Sequence, residues 1–157
     1  MPKQRKWLPV LIICVGLIAA PIVYLVSHLV RGTLEPEDFY RSRPILAAMQ
    51  SNHDAAWQSA PAARLTLLQR MPLGTPRANA IGVLAGEGFE CATADWPGDA
   101  AGRKRDGYVD ADVKDQLVNC QLLAPAEMGY TRWIIDVWFD GADLLRGARV
   151  SVWNISL

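Results

Sequence analysis

Histidine and cysteine are scarce in this sequence, with two of the first and three of the second in 157 residues. Isolated cysteines with no histidine close by fall short of the four ligands that zinc takes, so no metal site is expected. There is no glycine motif to cradle phosphate, no nucleophile elbow, no repeat and no low-complexity tract. No cofactor is therefore expected. An excess of positive charge is also missing beyond the first few residues. Setting aside Lys3, Arg5 and Lys6, the 16 basic residues fall to 13 against 16 acidic, a net of −3. A mildly acidic body gives phosphate backbones nothing to hold, which excludes nucleic acid as a partner.

Charge is wholly lacking from Trp7 to Val30, where His28, Cys14 and Tyr24 are the only titratable side chains. Twenty-four such residues, at about 1.5 Å each, are enough to cross a hydrocarbon layer of about 30 Å. The competing reading is a buried core helix, but such helices rarely stay apolar for so long. The expectation is one transmembrane helix with a lipid bilayer as partner. Pro21 would release the carbonyl of Leu17 and kink the helix, while Trp7 and Tyr24 would sit near the interfaces. His28 fits either an interface position or a contact with another subunit. Ala19-Ala20-Pro21 makes a poor cleavage site, and Cys14 follows residues too bulky for lipid attachment, so the anchor is expected to persist. Lys3, Arg5 and Lys6 keep the N-terminus cytoplasmic and send the rest outward, to the periplasmic side of a bacterial inner membrane. The boundaries follow: residues 1–31 for flank and span, 32–43 for a membrane-proximal linker, 44–157 for an exported domain.

Cys91 and Cys120 are the only thiols beyond that span. An even number in an oxidising compartment points to a disulfide, against the alternative of two buried free thiols.

In the exported part, Pro44 opens a helix whose stripe is Ile45, Leu46 and Met49. A second helix is expected from Pro61 to Arg70, capped by Ser59 or Ala60, with Leu65 and Leu68 inward. Leu73-Gly74-Thr75-Pro76 predicts a third, with Thr75 as N-cap, Pro76 at the first helical position, and Gly86 or Gly88 as the stop. The period then changes to two. Phe89, Cys91 and Thr93 share one strand face, as do Val118, Cys120 and Leu122, then Trp133, Ile135, Val137 and Phe139. A last strand runs from about Ala148 to Ile155. Asp95 to Asp115 reads as a long polar loop. The fold class expected is α+β: a single N-terminal transmembrane helix, then a two-layer domain of short helices packed on a 3–4-stranded antiparallel sheet.

Leu68 to Cys91, with its Leu-Gly-Thr-Pro turn, short helix and Gly-Phe-Glu-Cys strand start, resembles the BamE-like (SmpA/OmlA) outer-membrane assembly lipoproteins. Trp133 to Gly141 is similar too, and beta-lactamase inhibitor proteins share the architecture. The resemblance covers about residues 61–157. It implies a helix-helix-sheet fold, a bacterial envelope location and a habit of binding other proteins. Two departures stand out: the family is lipidated at an N-terminal cysteine, and the Cys91/Cys120 pair is not its hallmark.

No catalytic constellation is expected. His53 lies in a polar break without a partner in the sequence. Asp106, Asp110, Asp112 and Asp115 lack the spacing and closing Glu of a calcium loop, and Arg103-Lys104-Arg105 balances them, so a solvated loop is expected. Tryptophan is the notable residue. Trp138 and Trp153 fall on the sheet face turned away from the helices, and Trp96 starts the long loop. Either loops cover that face or it forms an exposed aromatic patch for protein contact. Together these features predict a non-enzymatic, membrane-anchored periplasmic interaction module, an accessory or assembly subunit whose partner is another membrane or periplasmic protein. The alternative is a tethered sensor or inhibitor domain that binds a soluble enzyme or small ligand.

Overall fold

The computed structural model describes residues 36–51, 60–98, 103–104, 107–108, 110–112, 114–126 and 129–156. All belong to one compact unit, Glu35–Leu157. Its helices are α1 (Pro36–Arg41), α2 (Pro44–Ser51), α3 (Pro61–Arg70) and α4 (Arg77–Gly86). Four strands follow: β1 (Glu90–Ala94), β2 (Gln116–Ala126), β3 (Gly129–Phe139) and β4 (Leu145–Ser156). They form one antiparallel sheet in the order β1-β2-β3-β4.

The expected fold class needs correction. The layered α+β arrangement is present, with four strands, but no helix among the described residues is long and apolar enough to cross a membrane. The longest, α3 and α4, have 10 residues each, about 15 Å against a hydrocarbon layer of about 30 Å. The stretch read as a span, with Trp7, Pro21, Tyr24 and His28, lies outside the described residues, as do His53 and Trp57. The presumed linker also holds more than a tether. It contains α1, whose Tyr40 is buried and accepts a 3.3 Å hydrogen bond from Trp133 Nε1.

Alternation decides the sheet. Val118, Cys120 and Ala124 of β2, Trp133, Ile135, Val137 and Phe139 of β3, and Ala148, Val150 and Val152 of β4 all face the helices. Leu46 and Met49 of α2, Ala63 and Leu67 of α3, and Ala80 and Leu84 of α4 meet them. Leu68 packs at the edge of this core, whereas Leu65, expected inward, is exposed because α3 turns Ala63 and Leu67 to the sheet. β1 stops at Glu90 while β2 runs on to Ala126. Pro125 sits on that extension, which pairs with β3 alone, an edge position of the kind that tolerates proline.

The glycine turns do specific work. After α4, Phe89 N–H donates to Leu84 O and Gly88 N–H to Ala85 O, with Gly88 at φ +92°. That paired closure needs the left-handed conformation glycine adopts freely. The turn then organises the helical layer: the Glu87 carboxylate accepts from Ile45 and Leu46 N–H, and Arg43 donates to Glu87 O. α2 thus receives its cap from a residue more than forty positions away. The Leu-Gly-Thr-Pro segment differs from its prediction. Thr75 Oγ1 donates back to Pro72 O, and Pro76 itself is the N-cap. The reason is tertiary: Gly74 N–H donates to Leu145 O, Leu145 N–H to Thr75 O and Arg77 N–H to Asp143 O. These bonds dock the turn on the β3–β4 hairpin.

Candidate interaction surface

The registers set the outer sheet face out in five rows. From one end they are Ala94–Leu117–Trp138–Gly147, then Ala92–Asn119–Asp136–Arg149, then Glu90–Gln121–Ile134–Ser151, then Leu123–Arg132–Trp153, and last Pro125–Tyr130–Ile155. The first two rows are closed and the last two are open.

At the closed end Trp138 is 0% exposed. Trp96 and Tyr108, carried on the loop before β2, pack against it with ring centroids 6.1 and 5.8 Å away. Trp96 Nε1 donates to Asp115 O at 2.7 Å, and Arg103 lies 5.6 Å above the Trp96 ring while donating to Gly98 O. The loop expected to be solvated is therefore a lid at these positions, with Arg103, Tyr108 and Asp115 buried. An exposed patch of Trp138, Trp96 and Trp153 does not form, because Trp138 is fully buried and Trp96 is half-buried against it.

The second row is polar and centred on Asp136. Asp136 accepts from Tyr108 Oη at 2.7 Å, from Asn119 Nδ2 at 2.6 Å and from Arg149 at 3.1 Å. Burial is the main reason the Tyr108 hydroxyl is pushed up to about 12, with the hydrogen bond and charge of Asp136 adding to it. Hydrogen bonds continue along β2: Gln121 donates to Asn119, and Arg132 donates to Gln121.

The open end is apolar around that arginine. Leu123 is 56% exposed, Tyr130 43%, Ile155 42% and Trp153 38%, with Ile134 and Pro125 half-buried beside them. A groove of about 580 Å³ cuts into this end, lined by Gly88, Glu90, Gln121, Leu122, Leu123, Arg132 and Ile155. Contiguous exposed apolar side chains on a small domain are the usual mark of a contact surface. No family model, curated protein or solved structure matches this chain. Nothing in those comparisons identifies the BamE-like family.

Of the site residues named from sequence, Cys91 and Cys120 are bonded to each other across directly paired strand positions, on the helix-facing side of the sheet. Trp153 alone of the three interaction tryptophans reaches the open surface. Leu123, Tyr130, Arg132 and Ile155 were not singled out as contact residues. The signal for them was the alternation itself, which puts Ile155 in phase with Trp153 and Arg132 opposite Trp133. Among the described residues no group of three or more His, Cys, Asp or Glu is placed to hold a metal.

Proposed function

We propose that this chain is a protein-interaction module of the bacterial envelope, an accessory or assembly subunit that docks onto another membrane or periplasmic protein through the open end of its sheet. One observation carries the reading: Leu123, Tyr130, Trp153 and Ile155 stay exposed in one contiguous group while aromatic residues elsewhere on the same face are covered. Large rigid aromatics around an arginine are the side chains that dominate binding energy in protein contacts. An exported location is supported by the Cys91–Cys120 bond, since such bonds persist in oxidising compartments. Lys3, Arg5 and Lys6 before an uncharged stretch favour the same side.

The test is site-specific photo-crosslinking in cells that make the full chain. A crosslinker at Leu123 or Ile155 is expected to give a discrete heavier species that one at Ala94, at the closed end, does not give. Trp153→Ser should reduce that species about tenfold or more, as removing an interfacial tryptophan costs about 2 kcal/mol or more. Equal crosslinking from both ends, or none from either, would remove the reading.

A further inference from the structure

The open patch has a polarity that apolar docking alone does not explain. Arg132 stands at its centre, flanked on its row by Leu123 and Trp153 and on the next by Tyr130 and Ile155. It has no carboxylate partner among the described residues, where the ion pairs are Arg41–Asp38, Arg77–Asp143 and Arg149–Asp136. It is nonetheless held in place, because it donates to Gln121, which donates to Asn119, which donates to the buried Asp136. A fixed guanidinium with spare donors amid apolar side chains is a preorganised receptor for a carboxylate. Glu90 lines the same groove from β1, two strands away or about 10 Å across the ladder. It too has no cationic partner among the described residues. The groove therefore carries a positive end at Arg132, a negative end at Glu90 and Leu123 between them.

We propose that the occupant of this surface is a protein segment with an acidic residue flanked by bulky apolar side chains, its carboxylate seated on Arg132. A basic residue of the same segment faces Glu90, and this pair of charges fixes the direction in which the segment lies. The proposal rests on the interaction reading above and adds the chemistry of the partner. Complementary charge placed this way sets register and rejects wrong partners more than it adds raw affinity. A lipid surface is disfavoured, since an anionic headgroup layer gains from Arg132 but meets Glu90 beside it.

The experiment uses the purified full chain in mild detergent against a displayed library of random twelve-residue peptides. Selected peptides are expected to be enriched in Asp or Glu next to Leu, Phe or Trp, with Lys or Arg a few positions away. Arg132→Glu should lower their binding at least tenfold, and Arg132→Lys should retain part of it. Glu90→Lys should shift the selection away from basic residues. Both side chains are exposed, so unchanged thermal unfolding is expected and separates binding from folding. Peptides that need Trp153 but show no acidic enrichment, or that bind the Arg132→Glu chain equally well, would overturn the proposal and leave the interaction reading standing. Peptides indifferent to Trp153 would overturn both. Binding to phosphatidylglycerol vesicles that Arg132→Glu abolishes, with no peptide selected, would replace the protein segment by a lipid surface and so overturn it as well.

Discussion

Gly147 shows how much one missing side chain can matter. A Cβ placed there would lie 2.2 Å from Trp138 Cζ2 and 2.5 Å from Cε2. The Trp138 indole lies against the β4 backbone at its paired position, and only glycine leaves room for it. Trp138 Nε1 is buried and has no hydrogen-bond partner among the described residues, and an unmade bond of that kind costs about 1–3 kcal/mol. Gly147→Ala is expected to destabilise the domain by about 1–3 kcal/mol, because an overpacked site must push a fully buried ring off its rotamer or lift the loop. Urea denaturation would measure it. The tryptophan fluorescence of the folded variant should also move to longer wavelength as water reaches Trp138. An unchanged midpoint would show that Trp138 has another position available.

Between strands, the Cys91–Cys120 bond joins β1 to the sheet at the one place where β1 is short and lies at the edge. Its two ends are 29 residues apart in sequence, so closing that loop in the unfolded chain is worth about 3–4 kcal/mol in the chain-entropy account. Replacing both cysteines with alanine should lower unfolding free energy by roughly that amount, read by denaturant titration beside the oxidised, disulfide-bonded parent chain. A loss below about 1 kcal/mol would mean that the unfolded chain keeps the β1–β2 pairing. This element was legible beforehand because two signals converged: just two cysteines beyond Val30, and period-two alternation that put both thiols on one face. The four strands and three of the four described helices were legible from their hydrophobic period, since burial on one side enforces it. What escaped was set by tertiary contact. α1 reads as a linker until Tyr40 meets Trp133, and Thr75 reads as a cap until Leu145 takes its carbonyl. Whether the aromatic face was open or covered depended on where Trp96 and Tyr108 fold back. A loop of aspartates, glycines and arginines does not disclose that.

At the scale of the molecule, the sheet is a partition with a buried tyrosine on each side. Tyr40 lies in the helical layer, with its hydroxyl raised above the ordinary value chiefly by burial. Tyr108 lies under the loop on the opposite face, pushed up to about 12, also chiefly by burial. In the unfolded chain both titrate near the ordinary value of about 10. Between there and about 12 the unfolded state sheds protons that the native state retains, so stability falls as pH rises. The contribution is fully present below about pH 10 and is lost as pH climbs through the native values. Alkaline unfolding is therefore expected to begin near pH 10 and to steepen toward 12. Tyr108→Phe should flatten part of that slope but not all, since Tyr40 remains. It should also cost stability at neutral pH, because Asp136 loses a donor in a buried site and keeps only Asn119 and Arg149. Denaturant midpoints of parent and variant, taken at half-unit steps from pH 7 to 12, would test this. Curves that stay parallel over the whole range would show that Tyr108 titrates as freely in the native chain as in the unfolded one, and that the loop does not seal the sheet beneath it.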